Sequence, residues 1–139
     1  MISGGKTDHA LDASALLAVL LDEPGNEKVH PILDRAYIHS VNAAEVVAKL
    51  IGRGVSGLRA SQMIEELDIH IDEELSARHA ALCGELIANT RQQGFSLGDC
   101  VCLTMAASVG AIAVTADRRW QDLHGRQIGD YEIRVQVIR

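Results

Sequence analysis

Four acidic residues stand where carboxylates can take part in chemistry, and two of them follow candidate strands. Asp12 directly follows the short segment HAL, and Asp117 lies just past the apolar segment AIAVT. In parallel α/β sheets, ligands collect in the crevice outside the carboxyl ends of the strands. We therefore expect Asp12 and Asp117 to face one site.

The other two acids, Glu45 and Asp99, are placed by helix starts. Each lies three residues after a good N-cap type, Asn42 in NAAE and Ser96 in SLGD, so both are expected in the first turn of a helix. The positive end of the helix dipole favours an ionised carboxylate there. Helices that follow parallel strands begin at the edge where those strands end, so the four acids should converge.

Each acid taken singly also has a structural interpretation, as part of a capping box or as a turn residue. Four carboxylates in one crevice, however, repel one another, and some take up protons or move apart unless a cation joins them. With no histidine or thiolate set nearby, the expected cofactor is Mg²⁺ or Mn²⁺. Such a site activates water for attack on a phosphodiester.

Several neighbouring residues are candidates for supporting roles. Ser14 and Thr115 either orient carboxylates and bound water or simply act as caps. Arg118 and Arg119 follow Asp117, where they either hold RNA phosphates or solvate a short helix. A second basic stripe, or only a wet helix face, is formed by Lys49, Arg53 and Arg59.

Strands alternate with helices along the chain, which predicts an α/β fold with a mainly parallel sheet flanked by helices. The expected strands are 8–11, 36–40, 67–72, 111–117 and 131–139, the last an edge strand. The expected helices begin with 14–23, capped by Ser14, and continue with 42–54, 58–67, 73–91 and one that starts near 97. Residues 1–6 are expected to be a flexible tail and 7–139 a single domain.

Composition limits the class of protein. Of 139 residues, 47% are hydrophobic and only 3% aromatic, so the core must consist of Ala, Val, Leu and Ile, as in helix-rich α/β proteins. The net charge of −6 argues against a passive nucleic-acid binder. Three cysteines without a CxxC pair, and the lack of a membrane-spanning apolar segment, predict a cytoplasmic protein.

Other residues that could carry chemistry receive packing interpretations. Cys100 and Cys102 fall on successive sides of one helix and are expected as buried apolar residues rather than joint ligands. His39 lies inside a strand and is expected to be packed, and Trp120 is expected in the core.

The segments that carry the acids resemble the PIN domain family and, within it, the VapC-type toxin ribonucleases. The matching segments cover nearly everything after Ala10 in the family's order: LDASALLAVLLDEPG, SVNAAEVVAKLIGRG, GFSLGDCVCLTMAASVGAIAVTADRRW and IRVQVIR. The resemblance implies a PIN-like three-layer α/β/α fold and a Mg²⁺- or Mn²⁺-dependent endoribonuclease. Its catalytic and metal-binding acids would be Asp12, Glu45, Asp99 and Asp117.

The resemblance also implies partners. VapC-like proteins often form homodimers and are held inactive by a cognate VapB antitoxin, whose C-terminal segment can lie over the active site. Two positions depart from the family pattern: the first strand is polar, and Cys100 replaces the Arg or Ala that commonly follows the third acid.

Three hypotheses follow. The first is a metal-dependent ribonuclease toxin, and the second is a catalytically silent PIN-like binding module that keeps the acids for stability or partner binding. The third is a receiver-like domain phosphorylated on Asp12, which is disfavoured because the chain lacks the accompanying acidic doublet and the Lys that ends the last strand.

Overall fold

The computed structural model describes residues 7–139, and the predicted tail 1–6 lies outside them. The described chain forms a five-stranded sheet in the order β3-β2-β1-β4-β7, and every pairing in it is parallel. These strands are His9–Leu11 (β1), Ala36–His39 (β2), His70–Asp72 (β3), Ile112–Thr115 (β4) and Val135–Val137 (β7). A separate antiparallel pair joins Gln127–Ile128 (β5) to Tyr131–Glu132 (β6).

Helices connect the strands. They are Ala13–Leu20 (α1), Asn26–Val29 (α2), Ser40–Gly52 (α3), Gly57–Glu66 (α4), Ala77–Asn89 (α5) and Leu97–Ser108 (α6). Short 3₁₀ turns occupy His30–Arg35, Arg91–Gln93 and Arg118–Leu123. No helix in the described part of the chain is both long and apolar enough to cross a bilayer.

Alternating side chains of the sheet enter two hydrophobic layers. Leu11, Ile38 and Val114 pack with α1, α3 and α4 in one cluster. Ala10 and Tyr37, one position earlier on the same strands, pack with α6 and the segment after β4 in the other. Because successive residues of a strand point to opposite faces, both faces of the sheet are covered. The predicted three-layer α/β/α arrangement is confirmed.

Two predicted elements differ most from the structure in their bounds. The prediction of a single C-terminal strand over 131–139 was wrong, because this segment is divided into β6 and β7. Between them, Ile133 turns into the second core cluster, and its N–H donates to the carbonyl of Arg126. The helix predicted over 73–91 begins only at Ala77, where the Ser76 hydroxyl accepts the His79 N–H. The segment predicted as a polar first strand is buried at His9, Ala10 and Leu11.

Candidate functional site

The four predicted acids line one pocket of about 340 Å³ at the carboxyl edge of the sheet. Asp12 follows β1, and its N–H donates to the carbonyl of Val114 in β4, so the ends of these two central strands are fixed side by side. Asp117 lies two residues beyond β4. The lining residues are Asp12, Ala13, Ser14, Glu45, Lys49, Gly94, Ser96, Asp99, Asp117 and Arg119.

Asp12 accepts hydrogen bonds from three donors. Its Oδ1 accepts from the Ser14 hydroxyl at 2.7 Å and the Ala15 N–H at 2.9 Å, and its Oδ2 accepts from the Thr115 hydroxyl at 2.6 Å. Only 5% of the residue is exposed. Burial raises the pKa of the Asp12 carboxyl to about 6 although these donors lower it, and the charge of Asp99 adds to the rise.

Asp12 itself caps α1, so the predicted N-cap Ser14 was wrong. The strand passes into the helix without a loop, and the first residue after β1 therefore takes the extended cap conformation. Ser14 instead links the two strand ends, since its hydroxyl donates to Asp12 and accepts the Ala116 N–H at 2.8 Å. The buried Thr115 also links the two strand ends, since its hydroxyl donates to Asp12 and accepts the Asp117 N–H at 3.0 Å.

Glu45 reaches the pocket from the second turn of α3, not the first. The cap of α3 is His39, whose Nδ1 accepts the Val41 N–H at 3.1 Å, so the predicted cap Asn42 was wrong. The cause is again a strand that leads directly into a helix. His39 is buried, as predicted, and its Nε2 lies 2.8 Å from the carbonyl of Glu74, to which it donates.

Asn42 and Gly98 fix the position of Glu45, a role that the sequence analysis did not predict for either residue. The buried Asn42 amide donates to Glu45 Oε1 at 2.8 Å and to the Gly98 carbonyl at 3.0 Å, which joins α3 to α6. A Cβ on Gly98 would overlap the Glu45 carboxylate. The signals in the sequence were Asn42, three residues before Glu45, and Gly98, directly before Asp99, but helix capping also explains both residues.

Asp99 occupies the first turn of α6 as predicted. Its Oδ2 accepts the Ser96 N–H at 2.9 Å while its own N–H donates to the Ser96 hydroxyl at 3.1 Å, which completes a capping box. This reciprocal pair satisfies two N–H groups at the start of the helix. The Asp99 side chain also lines the pocket. It therefore caps the helix and is available as a site carboxylate at the same time.

Asp117 is engaged by Arg119. The Arg119 Nη2 donates to Asp117 Oδ2 at 2.6 Å, and Nε lies 3.1 Å from both carboxylate oxygens. These bonds hold the pKa of the Asp117 carboxyl below its usual value. The guanidinium is further fixed by the Gln93 carbonyl, 2.6 Å from Nη1, and by the Phe95 ring, 5.5 Å from its centre. A protein cation thus already lies in the acidic pocket.

The remaining predicted basic residues separate. Arg118, expected beside Arg119 at the acidic mouth, turns away and donates from Nε to the Arg139 carbonyl at 3.0 Å. In the second stripe, Arg53 lies 3.6 Å from Glu23 and Arg59 pairs with Glu66 at 2.8 Å. Lys49 alone of that stripe lines the acidic pocket. Cys100, Cys102 and Trp120 are buried, as expected of packing residues, and Cys83 is buried as well.

The chemistry of the lining residues fits a hard divalent ion. The four acids offer carboxylate oxygens, with no imidazole or thiolate among the pocket residues. Within residues 7–139, however, no three such side chains stand close enough to form a ready coordination sphere. We attribute this spacing to mutual repulsion and to the protein donors that hold each acid. A metal ion would compete with Arg119 for Asp117.

A family model described as the PIN domain matches residues 10–125. No curated protein sequence matches the chain. Among solved structures, the DNA-bound VapBC complex from Salmonella typhimurium is similar with a TM-score of 0.68 at 18% identity, over 95% of this chain and 98% of that one.

Two further VapBC structures have the same fold. VapBC2 from Rickettsia felis, bound to a DNA fragment from its promoter, matches with a TM-score of 0.65 at 14% identity, over 93% of this chain and 97% of that one. VapBC-1 from nontypeable Haemophilus influenzae matches with a TM-score of 0.59 at 15% identity, over 93% and 96% of the two chains. At these identities the likeness concerns the fold.

Proposed function

Because the chain belongs to the PIN domain family, we propose that it is a VapC-like toxin, a Mg²⁺- or Mn²⁺-dependent endoribonuclease that hydrolyses RNA phosphodiester bonds. One observation carries the proposal. Asp12, Glu45, Asp99 and Asp117 come from four separate segments and line a single pocket. Neither capping nor turn formation requires that convergence. A receiver-like role for Asp12 is not supported, since the PIN domain model matches residues 10–125 and the chain lacks the acidic doublet and the strand-ending Lys that accompany such an acceptor.

The four acids would hold the ion, which when bound supplies activation of the attacking water and offsets charge on the leaving oxygen. The chain's own contribution is to keep the acids in place. Ser14 and Thr115 fix the orientation of Asp12, and Asn42 fixes that of Glu45. Because Asp12 is buried among donors, it loses little conformational freedom when a ligand binds.

Two cations at the pocket would help an acidic protein to bind a polyanion. Lys49 and Arg119 both line it. The guanidinium of Arg119 is a fixed fork of donors that suits phosphate oxygens as well as carboxylates. Release of Asp117 to a metal ion would free the same donors for the scissile phosphate, so binding of the ion and of the substrate would favour each other.

The proposal includes partners and location. The VapBC complexes that share this fold support a VapB-type antitoxin as the inhibitor. A homodimer is proposed on the resemblance to VapC proteins. Three free, buried cysteines in the described chain support a reducing compartment, and we propose the cytoplasm.

The test is cleavage of total RNA by the purified chain with Mn²⁺ or Mg²⁺. We expect Asp12→Asn and EDTA each to abolish cleavage, because either removes the central ligand or the ion. Asp130→Asn is the matched control, since this acid is 90% exposed on the turn between β5 and β6 and lies outside the pocket. Cleavage that persists in EDTA, or equally in Asp12→Asn, would reject the proposal.

The catalytically silent module is the second candidate. It is favoured by the salt bridge that occupies Asp117. This candidate predicts that Mn²⁺ raises the melting temperature of the wild type, but not of Asp12→Asn, while no RNA is cut. Metal-dependent cleavage by the wild type would eliminate it.

A further inference from the structure

A second depression, of about 350 Å³, adjoins the acidic pocket and has the opposite charge. It is lined by Lys28, Arg118, Gln121, Val137 and Arg139. Three of these five residues are cationic, and no acid is among them. The depression is therefore locally positive, although the whole chain has a net charge of −6. We call it the basic depression.

The cations of the basic depression are largely available. Among the described residues, neither Lys28 nor Arg118 has an Asp or Glu carboxylate within 4.0 Å. Arg118 uses only its Nε, on the Arg139 carbonyl, so both terminal nitrogens remain unpaired within the described chain. Arg139 is partly neutralised, since it donates to the Pro24 carbonyl at 2.9 Å and lies 3.9 Å from Glu23.

The two sites share one wall. Asp117 and Arg119 line the acidic pocket while Arg118, between them, lines the basic depression. Consecutive Cα atoms are about 3.8 Å apart, so the sites lie on opposite sides of this short segment. Val137 of the depression is paired in the sheet with Thr115, the residue that binds Asp12. One strand of nucleic acid laid across the carboxyl edge of the sheet would meet both.

We propose that the basic depression binds a backbone phosphate of the RNA next to the phosphodiester that is cut in the acidic pocket. The proposal rests on the proposed function and adds to it a second contact with the substrate. Ammonium and guanidinium donors without a competing acid suit a phosphate. An acidic protein segment is the less favoured occupant, because Arg118 of the depression is the chain neighbour of Asp117 and Arg119 in the pocket that would hold the scissile bond.

The test measures binding separately from cleavage. A fluorescein-labelled single-stranded RNA is titrated with wild type, Lys28→Gln, Arg118→Gln and the double variant in EDTA, and anisotropy is followed at several salt concentrations. Each phosphate contact to a single strand adds about 0.7 to the slope of log Kd against the logarithm of the salt concentration. One contact therefore makes binding about fivefold tighter at 0.1 M salt than at 1 M salt. We expect each single variant to bind about fivefold more weakly at 0.1 M salt and to lower the slope by about 0.7.

Arg59→Gln is the matched control, because it removes the same charge from an exposed side chain paired with Glu66 on α4. The proposal is overturned if Lys28→Gln and Arg118→Gln bind RNA as Arg59→Gln does. It is also overturned if they impair binding of a partner protein and not of RNA. A wild type that binds RNA with these slopes but cuts none in Mn²⁺ would reject the nuclease and keep the phosphate site, so the two failures are distinguishable.

Discussion

The inner and outer sides of the acidic pocket are built differently. On the inner side, Asp12 and Thr115 are buried, and their mutual bond joins residues that are 103 positions apart. On the outer side, Asp117 is held by Arg119, whose side chain is half exposed. A buried bond costs stability when it is broken, whereas an exposed ion pair contributes little. The inner side therefore fixes the site, and the outer side can change partners.

Among the variants that test this comparison, Gly98→Ala should have the largest effect, because it disturbs the pocket through Glu45. The new Cβ would displace the Glu45 carboxylate from Asn42, and a misplacement of about 1 Å can cost about 100-fold in rate. The free energy of unfolding should change by only about 1 kcal/mol, because the gain of up to about 1 kcal/mol from placing Ala instead of Gly in a helix opposes the cost of losing the hydrogen bond from the buried Asn42 to Glu45. RNA cleavage and thermal unfolding measure the two effects.

Gly84→Ala is the matched control for that prediction. Gly84 lies in α5, and a Cβ there meets nothing within 4 Å, so this variant should gain the same helix propensity and keep full cleavage. If Gly98→Ala also keeps full cleavage, the contact between Gly98 and Glu45 has no role in activity.

Thr115→Val tests the inner side by its effect on stability. The substitution leaves Asp12 Oδ2 and the Asp117 N–H without their shared hydroxyl, and an unsatisfied buried group costs about 1–3 kcal/mol. Denaturant unfolding should show a loss in this range. Thr115→Ser keeps the hydroxyl and should recover most of the difference in stability. A Val variant as stable as the Ser variant would contradict the assignment of the inner side as the rigid one.

Arg119→Gln tests the outer side and should have the smallest effect. Removing an exposed ion pair changes the free energy of unfolding by about 0–1 kcal/mol. If the same energy no longer opposes the binding of Mn²⁺ to Asp117, the ion binds up to about fivefold tighter. Calorimetric titration with Mn²⁺ measures this affinity. Arg118→Gln removes an equal charge next to the other depression. If both variants bind Mn²⁺ alike, the guanidinium of Arg119 does not compete for the ion.

The sequence predicted the convergence of the acids better than the local geometry that achieves it. Asp12, Asp117 and the capping box of Asp99 follow from strand ends and helix starts, which leave a pattern in consecutive residues. The caps of α1 and α3 were predicted two or three residues late. Ser14 and Asn42 are good caps by type, and only the direct passage from strand to helix excludes them.

Other features of the site depend on contacts that are distant in the chain. The bridge from Asn42 to Gly98 spans 56 positions, and no local pattern shows it. Likewise, Arg118 and Arg119 are identical in type and adjacent in sequence. Which of them enters the acidic pocket is decided by the Gln93 carbonyl on one side and the Arg139 carbonyl on the other.

The strand order of the sheet has a consequence for biosynthesis. The central strand β1 has β4 as one neighbour, and β4 is synthesised about a hundred residues later. Until that segment emerges from the ribosome, Asp12 lacks the threonine that orients it and the pocket lacks its fourth acid. A nascent or truncated chain that stops before residue 117 thus cannot assemble the pocket.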